Sequence, residues 1–447
     1  MNNDNDAVLA SMPQAQTSHA ATGGRTLTRT ERKAIVAATL GTIVEYTDWV
    51  IYATFSSILA RQFFPAEDKL SALLSVLAVF AVGFLMRPIG GAVLGVFADR
   101  YGRKKGLTLS ILMMSLASLV IGLCPNYESI GIAAPIILVL ARLAQGFSAG
   151  GEFGSASAFL IESAAPERRA FAGSWQWFAI NAGTLVSFLL GFTLASVGSE
   201  TALETWGWRV AFVIAALLGL VTLWIRLSVR ETEVFTLQVE KKAVPKRPLR
   251  EIFTTYRKDV LRVIGIAMAG NMLNYVWMVS YPSQVHLLTG MSIRDTLLAG
   301  SVAVGVSLLL MPLVGTLADR VGRRPVLIAF AVGAMLWAWP SFALLYPGIG
   351  LVQVALLQTV SMVILTGFGA ASAVTMAEQF PTQVRVTGIA LPYALSVTLF
   401  GGTSPYIMTA MAGWGIGHLF WLYIVLIALV SCITYVRMPE MKGQPLR

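Results

Sequence analysis

Charged side chains are scarce in this sequence. Asp, Glu, Lys and Arg make up 13% of its 447 residues, against about 25% in an ordinary soluble domain, while apolar residues make up 56%. This composition excludes an ordinary soluble protein and indicates a chain that lies in a membrane. The formal net charge of +10 does not indicate a nucleic-acid partner, because the positive residues are concentrated in short segments between apolar runs.

Cysteine and histidine are also rare. The two cysteines, Cys124 and Cys432, lie about 300 residues apart in or beside apolar runs, which excludes a disulfide framework. The three histidines are far apart and form no H-E-x-x-H motif, so neither a metal site nor a metalloenzyme is expected. No phosphate loop of the form G-x-x-x-x-G-K-[ST] occurs, which excludes an ATP-driven pump. We therefore expect no enzyme activity and no bound cofactor.

Long apolar segments dominate the chain. A helix needs roughly 20 residues to span a bilayer, and six segments of this length precede a polar stretch from Arg230 to Lys258 while six follow it. The predicted spans are 34–60, 71–98, 106–124, 132–161, 170–197, 208–227, 260–288, 295–318, 325–346, 350–377, 385–412 and 415–436. The sequence therefore predicts an all-α membrane protein with twelve transmembrane helices in two six-helix bundles.

The polar segments set the domain boundaries. The first 30 or so residues lack an apolar run followed by a cleavage site, so no secretory signal is expected there. We expect a disordered cytoplasmic tail at 1–32, a first bundle at 33–228, a cytoplasmic middle loop at 229–258, a second bundle at 259–437 and a cytoplasmic C-terminal tail at 438–447.

One charged motif occurs twice. Gly95 to Lys105 reads G-V-F-A-D-R-Y-G-R-K-K, and Gly315 to Pro325 reads G-T-L-A-D-R-V-G-R-R-P, 220 positions later. A second pattern repeats at an offset of 215 or 216: Glu162, Pro166 and Arg169 after the fourth span correspond to Glu378, Pro381 and Arg385 after the tenth. The two halves are therefore expected to be parallel repeats related by a pseudo-two-fold axis along the membrane normal.

Lys and Arg residues predict the orientation. Of the 33, 27 lie on the side that holds both termini, and the opposite side has only Arg61, Lys69, Arg209 and Arg294. Because positive loops stay inside, both termini are expected in the cytoplasm of a multi-pass protein of the bacterial inner membrane. The remaining two, Arg87 and Arg142, lie within predicted spans.

Ionisable residues at membrane depth are candidates for function because lipid disfavours charge. Glu45 and Asp48 lie on one face of the first span, and Glu152 lies on the fourth; we expect these three acids to carry protons. Arg142 and Arg87 are candidates for binding an anion. Three carboxylates and two guanidiniums would balance with one proton on an acid. The alternative is an ion-pair network that only holds the helices together.

Neutral polar residues complete the candidate site. Between Ile264 and Ala377 no acid or base lies at mid-span depth, so the second half is expected to orient a substrate with amides and phenols. Interhelical hydrogen bonding is the alternative role for these groups. The candidates are Gln145, Gln176 and Asn181 in the first half and Asn271, Asn274, Tyr275 and Tyr393 in the second.

The repeated motif is expected to form a gate. Asp99 can interact with a helix N-terminus, and Arg103, Lys104 and Lys105 can reach acids such as Glu162 when the cytoplasmic side is closed. A purely topological role of the positive charges is the alternative. The gate candidates are Gly95, Asp99, Arg100, Gly102, Arg103, Lys104, Glu162, Asp319, Arg320, Gly322, Arg323 and Arg324.

These motifs resemble a known family. The stretch from Leu85 to Gly106, with A-R-L-A-Q-G-F-S-A-G-G-E-F-G from Ala141 to Gly154, W-G-W-R from Trp206 to Arg209 and D-R-V-G-R-R-P from Asp319 to Pro325, resembles the metabolite:proton symporter branch of the major facilitator superfamily. That branch includes carriers of citrate, 2-oxoglutarate, shikimate and proline/betaine. The first span departs from its usual pattern at Thr42 and Thr47, whereas Glu45 and Asp48 keep their places.

The resemblance implies proton-coupled uptake of a small organic anion, most consistent with a di- or tricarboxylate such as citrate or 2-oxoglutarate. Short motifs such as F-G-G-T-S-P (Phe400 to Pro405) resemble those of the carriers of this substrate class. The osmolyte carriers often have a long charged coiled-coil extension, and none follows the last span in this sequence. A symporter of shikimate or of proline/betaine, a transporter-like sensor and a drug:proton antiporter remain the alternatives. We expect a monomer in the lipid bilayer whose partners are the substrate and protons.

Overall fold

The computed structural model describes residues 29–64, 69–197, 203–228, 236, 248–444 and 446. Twelve long helices account for most of them: α1 Arg29–Thr54, α2 Lys69–Tyr101, α3 Arg103–Leu123, α4 Ala133–Glu162, α5 Arg169–Val197, α6 Trp208–Ser228, α7 Arg257–Leu273, α8 Ile293–Val321, α9 Arg323–Ala338, α10 Leu351–Ala377, α11 Arg385–Ser396 and α12 Phe420–Arg437. No strand occurs among the described residues. The predicted all-α class is confirmed.

The predicted tail and middle loop fall largely on residues that the structure does not describe. Residues 1–28, 229–235 and 237–247 lie outside the described ranges. Helix α1 begins at Arg29, within the predicted tail, and a short helix, Pro248–Thr254, lies within the predicted middle loop.

The helices have the length and composition of membrane spans. In the described ranges, ten helical segments are long and apolar enough to cross a membrane. Large aliphatic side chains such as Leu85, Leu309 and Leu336 point outward and are at least 62% exposed, as expected for surfaces that face lipid. The protein is a multi-pass membrane protein.

Small residues bring α2 and α4 into close contact. A Cβ atom at Gly150 would lie 2.0 Å from the Arg87 carbonyl oxygen, and one at Gly146 would lie 2.0 Å from the Gly83 carbonyl oxygen. Only glycine allows two helix backbones to approach this closely, as is common in membrane bundles. These contacts fix the height of Arg87 relative to the charged residues of α4.

Two helices of the second half are interrupted at the same depth. Helix α7 passes into a π-helical turn, Asn274–Val279, before continuing as Tyr281–Thr289, and α11 passes into a π-helical turn, Val397–Gly402, before continuing as Ser404–Gly413. The two turns pack on each other. A Cβ atom at Gly401 would lie 2.7 Å from Tyr275 Cδ2, so glycine there makes room for the tyrosine ring. π-turns are frequent at functional sites, and these two position Tyr275 toward the first half.

Candidate functional site

The charged candidates of the first half lie together inside the protein. Glu45, Asp48, Arg87, Arg142 and Glu152 are each no more than 6% exposed. They come from α1, α2 and α4, which pack against one another. None of these side chains faces the lipid, so their burial fits a functional site or an internal ion-pair network.

Asp48 is held by neutral hydrogen-bond donors. Its Oδ1 accepts a hydrogen bond of 2.6 Å from Ser118 Oγ on α3, and its Oδ2 accepts one of 2.6 Å from Gln145 Nε2 on α4. Gln145 Nε2 also lies 3.1 Å from Ser118 Oγ. Both carboxylate oxygens are thus positioned by residues that can remain bound when the acid takes up a proton. Of these donors, Gln145 was predicted and Ser118 was not.

Arg142 is linked to Asp48 through Gln145. Arg142 Nη1 donates a hydrogen bond of 2.8 Å to Gln145 Oε1, while the amide nitrogen of Gln145 donates to Asp48. The Arg142 guanidinium also lies over two aromatic rings, with Cζ 4.3 Å from the Trp49 centroid and 4.0 Å from the Tyr52 centroid. A change in the protonation of Asp48 can therefore affect Arg142 through the side chain of Gln145 alone.

Arg87 faces the second half. Its Nη1 donates a hydrogen bond of 3.4 Å to the hydroxyl of Tyr275, and its Cζ lies 4.1 Å from the Trp49 centroid and 4.8 Å from the Phe84 centroid. Its Nε is buried and has no hydrogen-bond partner among the described residues. A buried guanidinium whose Nε–H group has no partner in the described part of the chain is suited to bind an anionic ligand.

A third buried guanidinium pairs with Glu152. Arg226 on α6 donates through Nη2 to Glu152 Oε1 and through Nη1 to Glu152 Oε2 at 3.3 Å, and Nη1 also donates to the Leu107 carbonyl oxygen. Both side chains are 3% exposed. A Cβ atom at Gly41 would lie 1.5 Å from Arg226 Nη2, so α1 makes room for this pair with a glycine.

The Arg226 pair changes the predicted charge balance. Arg226 is one of the 27 positive residues assigned from the sequence to the side that holds the termini, although it lies within the predicted span 208–227. The structure places it beside the acids, so three carboxylates meet three guanidiniums. Glu45, which is 6% exposed, interacts electrostatically with Glu152, Arg87 and Arg226.

The neutral candidates form contacts within and between the halves. Tyr393 stacks on Phe153 at 3.6 Å between ring centroids and interacts electrostatically with Tyr46 and Arg87. Three other candidate side chains donate hydrogen bonds to hydroxyl groups: Asn181 Nδ2 to Ser307 Oγ at 2.8 Å, Asn271 Nδ2 to Ser396 Oγ at 3.3 Å and Gln176 Nε2 to Thr42 Oγ1 at 3.4 Å. The amide oxygens of Gln176, Asn181 and Asn274 are buried without a hydrogen-bond partner in the described part of the chain. Such acceptors can receive hydrogen bonds from a ligand or water.

The first motif copy joins the two halves. Asp99 accepts hydrogen bonds from the backbone N–H groups of Val386 at 3.3 Å and Thr387 at 2.8 Å, in the first turn of α11, and from Thr387 Oγ1 at 2.6 Å. Glu162 Oε1 accepts from Arg103 at 3.2 Å and from Arg385 at 2.8 Å. We call Asp99, Arg103, Glu162 and Arg385 the first latch. The predicted contacts of Asp99 with a helix N-terminus and of Arg103 with Glu162 are both present.

The second motif copy repeats this arrangement in the opposite direction. Asp319 accepts hydrogen bonds from the N–H groups of Ala170 at 2.9 Å and Phe171 at 2.8 Å, in the first turn of α5. Arg323 donates to Glu378 at 3.2 Å, and Arg169 interacts electrostatically with the same carboxylate. We call Asp319, Arg323, Glu378 and Arg169 the second latch. In each half, one aspartate thus accepts hydrogen bonds from the first turn of a helix in the other half.

The remaining gate candidates shape the turns around the latches. Gly102 and Gly322 have φ angles of 111° and 106°, a region that favours glycine, and they let α2 and α8 turn directly into α3 and α9. Gly95 lies so close to α11 that its Cβ would be 3.1 Å from Thr387 Cα. Lys104 Nζ donates to the Leu227 carbonyl oxygen at 2.8 Å, and Arg100 is exposed.

Glu440, which follows α12, contributes further hydrogen bonds at the second latch. Its carboxylate accepts hydrogen bonds from the N–H groups of Arg323 at 3.2 Å and Arg324 at 2.9 Å. Lys442 Nζ donates to the Arg320 carbonyl oxygen, and the Gln444 carbonyl oxygen accepts a hydrogen bond of 2.7 Å from Arg169. The segment from Glu440 to Gln444 therefore contacts both halves.

The comparisons with known proteins agree with this architecture. The chain superposes on the solved proton:xylose symporter XylE, bound to 6-bromo-6-deoxy-D-glucose, with a TM-score of 0.76, 19% identity and coverage of 93% of this chain and 98% of that one. The family model described as Major Facilitator Superfamily matches residues 38–405. The chain belongs to the major facilitator superfamily. The predicted twelve-helix fold with two six-helix bundles is confirmed.

The similar curated proteins of the superfamily have different cargoes. The alpha-ketoglutarate permease of Escherichia coli K12 is 35% identical over 428 residues, which cover 94% of this chain and 96% of that protein. The proline/betaine transporter of the same strain is 35% identical over 93% of this chain and 85% of its own length. The citrate-proton symporter of Salmonella typhi is 34% identical over 85% of this chain and 87% of its own length. This superfamily member is therefore a transporter and not an enzyme, and its relatives leave the substrate open.

Asp99 offers a direct test of the latches of this superfamily member. The motif end is the end of the protein that holds both copies of the repeated motif. We expect Asp99→Asn to shift the equilibrium between its closed and open states toward the open state by about 10- to 100-fold, because hydrogen bonds to a charged group contribute about 1.5–3 kcal/mol. The measurement is a distance distribution between spin labels placed on the two halves beside the latch. Asp319→Asn should act in the same direction, and Asp259→Asn, on a surface pair, should not. Unchanged distances and unchanged transport by an inserted Asp99→Asn protein would contradict a gating role.

The second latch should respond to pH. Burial raises the pKa of Glu378 from its ordinary value of 4.5 to about 7, although the Arg323 and Arg169 guanidiniums act in the opposite direction. In the closed, folded state Glu378 therefore keeps its proton up to about pH 7, whereas the hydrated carboxyl group of the unfolded chain loses it near pH 4.5. Its stability should be greatest below about pH 4.5 and should fall as pH rises to about 7, by at most about 3 kcal/mol at roughly 1.4 kcal/mol per pKa unit. Thermal unfolding across this range checks the expectation, and Glu378→Gln should flatten the dependence. A wild-type profile that rises with pH would refute it.

Proposed function

We propose that the protein takes up a di- or tricarboxylate together with at least one proton. The observation that carries this proposal is the linked set of Asp48, Gln145 and Arg142, with Arg87 beside it. In this set a proton-accepting acid and two guanidiniums lie within one buried cluster. A carboxylate substrate and a proton can therefore influence each other over one or two side chains.

Asp48 is proposed as the principal proton site. Its two hydrogen-bond donors, Ser118 and Gln145, are neutral, so neither of them requires Asp48 to carry a negative charge. Glu152 is bound to Arg226 by two hydrogen bonds, which favours a structural role. Glu45, in electrostatic contact with Arg87 and Arg226, is the second candidate proton site.

The substrate is proposed to bind Arg87 and Arg142 with help from the second half. Tyr275, already bonded to Arg87, and Tyr393 place phenol groups next to the guanidiniums. The buried amide oxygens of Asn181 and Asn274, which have no hydrogen-bond partner among the described residues, are further candidate polar groups in the two halves. Neutral groups of this type orient an anion without cancelling the positive charge that attracts it.

Transport follows from rocking of the two halves about this site. In the present conformation both latches are closed, so the motif end is shut. Loading of proton and substrate from the opposite end must favour a state in which the latches part, since equal affinity for both states shifts nothing. With the termini in the cytoplasm of a bacterial inner membrane, as the positive loops predict, this cycle imports the anion.

The deciding experiment is uptake into proteoliposomes with an imposed pH gradient. Radiolabelled 2-oxoglutarate and citrate should accumulate when the outside is acidic, and accumulation should collapse with a protonophore. Proline and betaine are the competing cargoes, because the proline/betaine transporter is as similar to this chain as the alpha-ketoglutarate permease. Accumulation of proline or betaine alone would replace the carboxylate proposal. Ligand binding without flux would indicate a sensor, and proton export coupled to drug efflux an antiporter.

A further inference from the structure

Trp49 lies between the two arginines of the cluster. The Cζ of Arg87 is 4.1 Å and the Cζ of Arg142 is 4.3 Å from a ring centroid of this one indole. Trp49 is 1% exposed and packs edge-to-face on Phe84, with centroids 5.0 Å apart and ring planes at 90°. A Cβ at Gly83 would be 3.0 Å from Trp49 Cη2, so the ring is confined on that side as well.

Two buried guanidiniums repel each other, and this indole attracts both. A cation over an aromatic face is stabilised by the ring quadrupole, most strongly by tryptophan and most of all when water is excluded. The rigid ring therefore keeps two like charges near one another at a separation that its own position sets. Flexible arginine side chains alone would move apart into other contacts.

The two guanidiniums have different second partners. Arg142 donates to Gln145 and so to the Asp48 side of the cluster, whereas Arg87 donates to Tyr275 of the second half and retains a buried Nε without a hydrogen-bond partner among the described residues. The pair thus presents two positive centres rather than one. A ligand with two carboxylates can neutralise both, whereas a monocarboxylate or a zwitterion leaves one uncompensated.

We propose that Trp49 determines substrate specificity: it holds Arg87 and Arg142 at a fixed spacing that matches two carboxylates of one ligand. This inference rests on the proposed carboxylate transport and names the residue that selects within that class. It makes Trp49 a positioning residue, since the guanidiniums and not the indole contact the anion.

The test compares matched ligands on purified protein by titration calorimetry. Glutarate and butyrate have similar chains and differ by one carboxylate. We expect wild-type protein to prefer glutarate, and Trp49→Leu to lose about 10- to 100-fold of its glutarate affinity while its butyrate affinity changes less than about 3-fold. Trp49→Phe should lie between, because a smaller ring attracts cations less strongly. Trp177→Leu is the matched control: this tryptophan is also 1% exposed, but its ring packs on Phe368, and it should leave the ratio unchanged.

A second measurement varies the distance between the two carboxylates of the ligand. If the spacing of the guanidiniums is fixed, wild-type affinity across malonate, succinate, glutarate and adipate should pass through a clear optimum, and the optimum should broaden in Trp49→Phe. A flat series, or an equal loss of glutarate and butyrate affinity in the Trp49 variants, would overturn the role of Trp49 while leaving carboxylate transport intact. Wild-type protein that binds no carboxylate would instead refute the proposed function itself, and with it the selection by Trp49.

Discussion

Asp48→Asn is expected to abolish proton-driven accumulation. With one proton coupled to each substrate and the membrane potential clamped at zero, a gradient of about two pH units supports an accumulation ratio of about 100, and loss of the coupling reduces this ratio to about 1. Asparagine keeps the size of the side chain and can still bond to Ser118 and Gln145, but it cannot take up a proton. The folded structure should therefore survive the change.

The measurement separates coupling from transport itself. Asp48→Asn protein in proteoliposomes should still exchange internal for external labelled substrate, because exchange needs no net proton movement. Asp259→Asn, at an exposed pair with Arg262, serves as the matched control and should accumulate substrate like the wild type. Glu45→Gln tests the second candidate acid, and a partial loss of accumulation there would indicate a second proton. Full accumulation by Asp48→Asn would exclude Asp48 as the coupling site.

Arg226→Leu is expected to destabilise the protein by about 3–5 kcal/mol. This change leaves the Glu152 carboxylate buried without its cation, which is the costly way to break an internal ion pair. The double variant Glu152→Gln/Arg226→Leu should recover much of the loss, because no unpaired charge remains. Free energies of unfolding measured with denaturant in detergent micelles give the values for a double-mutant cycle.

A surface pair in the same chain provides the comparison. Arg262 and Asp259 are 2.7 Å apart, but their side chains are 39% and 14% exposed, so Arg262→Ala should cost less than about 1 kcal/mol. The double variant also decides the role of Glu152 in coupling. If it accumulates substrate normally, Glu152 is structural; if it binds substrate but loses accumulation, Glu152 carries a proton. An Arg226→Leu protein as stable as the wild type would rule out the pair as a structural element.

The architecture and the latches could be predicted from the sequence because each depends on a local pattern. Apolar length predicts the helices, and a motif that occurs twice predicts equivalent positions in the two halves. The contact of Asp99 with a helix N-terminus follows from a carboxylate at the end of one span and the need of another span to satisfy its first N–H groups. That this helix is α11 of the opposite half depends on how the halves pack, which no local pattern specifies.

The charge balance of the site could not be predicted in the same way. Arg226 lies near the end of its span, where arginines commonly reach toward the lipid head groups, and counting it as a loop residue followed that tendency. Its inward direction is set by a gap in α1 at Gly41 and by Glu152 on α4, residues separated from it by long stretches of chain. Ser118 and Trp49 were missed for a related reason: a serine or tryptophan in an apolar helix gives no sign of which neighbour it meets.

The segment around Glu440 has a practical consequence for anyone who handles this transporter. Glu440 is bound to the start of α9 while Gln444 is bound to Arg169 of the first half, so the segment must release one of them whenever the halves separate. A bulky affinity tag or fluorescent fusion attached close to Gln444 would bias the cycle. A small environment-sensitive dye at the same place would instead brighten or dim with every turnover, and so count transport events in single molecules.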